Sequence, residues 1–151
     1  MSRAARAIVT AGLVCGVLDG LAAIALSLYY GGTVIRTFQG IAVGLLGPAA
    51  RTGGLGSALL GIALHFAVAL GASAVYYAAS RRLRELVKQP LFWGVLYGIV
   101  VHLFMRFVVT PLSAIGWRPV VWKTFVILLV IHMVVVGPSI SLTIARISKR
   151  W

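Results

Sequence analysis

Four apolar runs separated by short polar stretches organise this chain, at about residues 7–30, 55–79, 91–112 and 121–146. A helix needs about 20 apolar residues to cross a hydrocarbon core roughly 30 Å thick. The pattern therefore predicts an all-α membrane protein, one bundle of four transmembrane helices spanning residues 1–151. Aromatic residues at the run ends (Tyr29 and Tyr30, Tyr76 and Tyr77) suit the bilayer interfaces. Gly31 and Gly32 close the first run, and Pro90 stands where the first turn of the third begins. Pro111 and Pro119 bracket a loop containing Trp117 and Arg118.

The stretch at about 33–47 reads differently. Thr33 can cap a helix with Val34, Phe38, Ile41 and Leu45 on one face and Arg36, Gln39, Gly40 and Gly44 on the other. Such a helix is too short to cross, so it is expected as an amphipathic or re-entrant helix that Gly47 and Pro48 end. In the fourth run Pro138 removes a backbone donor and leaves the Val134 carbonyl without its usual helical partner. Ser139 and Ser141 lie close enough to help satisfy freed backbone groups.

Within the runs, small residues recur every fourth position. Gly12, Gly16 and Gly20 form one stripe; Ser57, Gly61, His65, Ala69 and Ser73 form a second; Gly94, Gly98, His102 and Arg106 form a third. Such stripes let helices approach closely in lipid, and Gly12, Gly16, Gly20, Gly61, Gly94 and Gly98 are the expected packing positions. Asp19 falls near the middle of the first run, where an isolated carboxylate costs a few kcal/mol or more and needs a partner. Counting helical rise places Asp19, His65, His102 and His132 at similar depth, with Arg106 one turn further on.

Asp19, His65, His102, Arg106 and His132 are thus the candidate intramembrane polar cluster, and three readings compete for them. The cluster can form a proton, ion or small-solute pathway. It can instead be packing glue, with Asp19 and Arg106 as a buried pair and the histidines bonded across helices. As a third alternative, Asp19, His65, His102 and His132 can ligate a metal ion, which requires all four helices to converge.

Composition narrows these classes. Of the 151 residues 61% are hydrophobic, with a mean hydropathy of +1.04, so no segment remains for a soluble domain. The formal charge of +12 lies mostly outside the apolar runs and shows no basic face interleaved with aromatics, so nucleic acid is not an expected partner. Arg3, Arg6, Arg81, Arg82, Arg84, Lys88, Arg146, Lys149 and Arg150 fall on one side, and Arg36, Arg51, Arg118 and Lys123 on the other. That asymmetry places both termini in the cytoplasm.

The first run is too long for a cleaved signal sequence and is expected to remain as a span. Cys15 reads as a small packing residue. With Asp19 and Glu85 as the two acidic residues and no nucleotide-binding loop, no enzyme of a familiar class and no cofactor are expected. The expected surroundings are the lipid bilayer, together with a second copy or another membrane protein.

The segments Leu64–Gly71, Pro90–Gly98 with Thr110, Pro111 and Leu112, and Ile131–Met133 resemble a group of small bacterial inner-membrane proteins, distantly of the YagU type. The likeness covers most of the last three runs and the Gly/Ala-rich first one. In that pattern one histidine opens the second run and another sits in the fourth, matching His65 and His132; His102 and Arg106 are not part of it. The resemblance implies a bacterial inner membrane and carries no activity.

Overall fold

The computed structural model describes residues 1–149 as helices and short connections, with no strand among them. Arg150 and the side chain of Lys149, counted above among the basic residues, lie outside the described residues. Four helices are long and apolar enough to span a membrane: α1 (Arg3–Tyr29), α3 (Gly54–Arg82), α5 (Pro90–Leu112) and α6 (Trp122–Ser148). Between them lie α2 (Val34–Leu46) and the single turn α4 (Glu85–Lys88). The chain has the architecture of a polytopic membrane protein.

Local chemistry sets the boundaries. Ser2 caps α1 by accepting from the Ala5 N–H at 3.2 Å, so the helix starts in the polar lead rather than at the apolar run. Gly31, at φ +76°, turns the chain out of α1, and Thr33 caps α2 by accepting from the Arg36 N–H at 3.2 Å. Gly47, at φ +65°, ends α2 before a 3₁₀ turn at Gly47–Thr52.

Burial is reversed relative to a water-soluble bundle. Leu13, Val17, Leu21, Leu59 and Leu91 face outward, whereas Ser57, Ser73, Ser141, His65 and His102 are buried. In lipid no hydrophobic force drives large apolar side chains together, so small and polar residues take the interior. The core runs from Ala11 and Cys15 through Ala69, Tyr76 and Val136 to Ile140 and Ile144.

The glycine stripes account for the closeness of the helices. A Cβ at Gly61 would overlap the Phe38 carbonyl, one at Gly94 the Ser141 hydroxyl, and one at Gly98 the His132 carbonyl. At Gly12 and Gly16 it would meet Leu70 and the Phe66 ring at 2.6 Å, and at Gly20 it would stand 3.4 Å from the His65 imidazole. All six glycines face helices of the same chain, so they do not offer a free seam to a second copy.

Two features differ from the sequence expectation. The buried face of α2 is Phe38, Gln39, Ala42 and Val43, while Val34 and Leu45 are exposed. Gln39, expected on the opposite face from Phe38, is buried beside it and donates from Nε2 to the Gly54 carbonyl at 3.0 Å. Lodged against α3 at Gly61, the helix turns Gln39 and Ala42 inward together with Phe38, and leaves Val34, Ile35, Leu45 and Leu46 outside. Second, both proline-containing spans carry a π turn, at Met105–Val109 and His132–Val136, just ahead of Pro111 and Pro138. Ser139 and Ser141 donate to the Val136 and Pro138 carbonyls, not to that of Val134.

Candidate functional site

The polar residues of the spans divide into two pairs and one outlier. Asp19 lies one turn after Cys15, and His65 and His132 lie one turn before Ala69 and Val136, so all three border the apolar core on the same side. His102 follows Val101, which packs against that core from α5.

The first pair joins α1 and α3. His65, 9% exposed, places Nε2 at 2.8 Å from the Gly16 carbonyl, a contact that the absent side chains of Gly16 and Gly20 make possible. A carbonyl accepts, so Nε2 carries a proton. The other ring nitrogen, Nδ1, then faces Asp19 Oδ2 at 4.0 Å. Asp19 is 25% exposed, and edge-on Phe38 and Phe66 rings flank the imidazole at centroid distances of 6.2 and 5.5 Å.

The second pair joins α5 and α6. The His102 and His132 rings lie 4.9 Å apart at 59°, and Phe125 meets His102 edge-on at 4.8 Å. His132 donates from Nδ1 to the Leu128 carbonyl at 2.7 Å, one turn back in its own helix. His102 is 4% exposed, and its Nε2 has no hydrogen-bond partner among the described residues. The Gly98 approach to the His132 carbonyl sets this pair's spacing.

Arg106 joins neither pair. Its Nη2 donates to the Arg118 carbonyl at 2.6 Å, tying the end of α5 to the following loop. The expected Asp19–Arg106 ion pair is therefore replaced by Asp19–His65. Similar depth does not make neighbours: α1 packs against α3 and α6, while α5 packs against α6. For the same reason the four-residue metal alternative does not assemble. Among the described residues, no three His, Cys, Asp or Glu side chains group so as to hold a metal ion.

Sequence reasoning missed the backbone partners. The Gly16 and Leu128 carbonyls fix the two histidine tautomers, and the glycine at 16 was the available signal for the first. It also missed Tyr97, whose hydroxyl donates to the Ala72 carbonyl at 2.7 Å and whose ring meets Tyr76 at 4.9 Å, bridging α3 and α5. Tyr76 in turn donates to the Leu86 carbonyl at 3.0 Å and anchors α4. Comparison of the chain with protein-family models, with curated proteins and with solved structures finds no match in any of the three.

Proposed function

We propose that this is a non-enzymatic protein of the bacterial inner membrane, with both termini in the cytoplasm, in which Asp19 and His65 take up and release a proton as part of a proton or ion pathway. One observation carries the reading: the Gly16 carbonyl holds the proton of His65 on Nε2, which turns Nδ1 toward a carboxylate 4.0 Å away. With neither group protonated further, two acceptors face one another. One added proton converts them into an ion pair or a neutral hydrogen-bonded pair, after a closing movement of about 1 Å. Such a couple stores one proton at bilayer depth, where an ionisable group otherwise finds no solvent.

The excess of basic residues beside the termini supports the orientation, and the resemblance to YagU-type proteins supports the bacterial membrane. A proton suits the site better than a bulkier solute, because Phe38, Phe66 and the α1 backbone close around His65. In vesicles enclosing a pH-sensitive dye, the reconstituted protein is expected to dissipate an imposed pH gradient. Asp19→Asn and His65→Gln abolish that flux while leaving helical content unchanged. Wild-type flux no greater than that of protein-free vesicles, or undiminished flux in Asp19→Asn, refutes the pathway.

A second reading, a structural or interaction subunit whose polar groups are glue, is favoured by the carbonyl bonds of both His65 and His132. On that reading His65→Gln is tolerated, because the glutamine amide can also donate to the Gly16 carbonyl.

A further inference from the structure

The bundle end that carries the termini combines two features that neither pair uses. One is a cleft of about 300 Å³ lined by Ser80, Arg81, Arg84, Val87, Lys88 and Ser148. Lys88 is engaged by Glu85 at 2.6 Å, but Arg81 and Arg84 make no hydrogen bond or ion pair among the described residues. The cleft therefore presents two uncompensated guanidinium groups where α3 leaves its apolar stretch.

The second feature is an apolar groove of about 430 Å³ between α3 and α5, lined by Tyr76, Ala79, Leu86, Trp93, Leu96 and Val100 among others. Both border α4: Leu86 lines the groove and Val87 the cleft, and Ala79 and Ser80 divide likewise on α3. The hydrogen bond from Tyr76 to the Leu86 carbonyl holds α4 beside them. Beyond Tyr97 the groove continues for about 420 Å³ past Val68, Ala72 and Phe104.

We infer that this end of the molecule binds one anionic phospholipid, with its phosphate on Arg81 and Arg84 and an acyl chain in the groove between α3 and α5. Charge selects the headgroup, since planar guanidinium donors match phosphate oxygens and no acidic side chain among the described residues lines the cleft. Depth selects the chain. From Trp93 the groove runs about 10 Å along α5 to Val100 and continues past it to Phe104, so an acyl chain whose headgroup sits at the cleft lies along it into the hydrocarbon core. A further helix packs closely where small residues line the seam, whereas Tyr76, Leu86, Trp93, Leu96 and Val100 are bulky.

The test compares the full chain in phosphatidylcholine bilayers with and without phosphatidylglycerol. Retained lipid is read by mass spectrometry, and stability by thermal unfolding. Phosphatidylglycerol is expected to be retained in preference to phosphatidylcholine and to raise the unfolding temperature. The Arg81→Gln/Arg84→Gln double variant binds it about thirtyfold more weakly. Val100→Trp, at a position exposed between the two halves of the groove, loses the preference while unfolding normally in phosphatidylcholine. Soluble glycerol phosphate gives no shift. Three results each overturn the inference: equal retention of the two lipids, a preference that survives in either variant, or a full stability shift from glycerol phosphate alone.

Discussion

Gly98→Ala is the substitution whose consequence the structure fixes most tightly. The added carbon would fall within the radius of the His132 carbonyl oxygen, with Met133 Cα at 3.0 Å. Both are backbone atoms, so no rotamer change relieves the overlap; α5 and α6 must move apart. Overpacking of this kind costs about 1–3 kcal/mol or more. Against it stands the better helix propensity of alanine, worth up to about 1 kcal/mol in a helix interior. The contact of Gly94 with Gly137 shares the same helix crossing and loosens with it. A net loss of roughly 1–2 kcal/mol follows.

Gly40→Ala supplies the control. Gly40 is also interior to a helix, but nothing lies within 4 Å of where its Cβ would stand. There the propensity gain acts unopposed, and stability rises by about 0.5–1 kcal/mol. Reversible unfolding in mixed micelles titrated with denaturing detergent, followed by helical circular dichroism, measures both. The reasoning fails if Gly98→Ala is as stable as wild type, or if the two substitutions destabilise equally.

Two further substitutions test the polar contacts by the same assay. Arg106→Gln should cost no more than about 1.5 kcal/mol, because the guanidinium serves a single loop carbonyl. A loss of about 3–5 kcal/mol would restore the buried Asp19–Arg106 pair that the geometry rejects. Tyr97→Phe keeps the ring against Tyr76 and removes only the bond to the Ala72 carbonyl, so it should cost about 1 kcal/mol. No loss at all would mean that this hydroxyl does not join α3 to α5.

The spans were legible because continuous apolar length is a property of the sequence itself, whereas azimuth around a helix is not. Depth could be counted from each run end, and it put Asp19, His65, His102 and His132 in one layer without dividing them into pairs. Counting could not show that α1 lies against α3 while α5 lies against α6, which is why the packing reading could set Arg106 beside Asp19. The pattern of α2 likewise separated an apolar face from a polar one without showing which packs on the bundle; beside a membrane bundle Gln39 is the residue that needs a protein partner. Pro138 announced a disturbance in α6, but not its form.

That form ties the second histidine pair to its surroundings. Ahead of Pro138, the Gly137 N–H bonds the His132 carbonyl five residues back, and ahead of Pro111 the Thr110 N–H bonds the Met105 carbonyl likewise. In α6 this wider turn coincides with the backbone contacts to α5: Gly98 against the His132 carbonyl and Gly137 against Gly94. Proline, π turn, glycine contacts and the His102–His132 stacking therefore form one locked unit, in which moving an imidazole means moving a helix. The Asp19–His65 pair has no such constraint on its carboxylate. Asp19 is partly exposed, makes no hydrogen bond among the described residues, and stands 4.0 Å from a nitrogen it can approach by a side-chain rotation. Of the two pairs, this one leaves a carboxylate free to close on its imidazole, and that asymmetry is why the proposed function rests on Asp19 and His65.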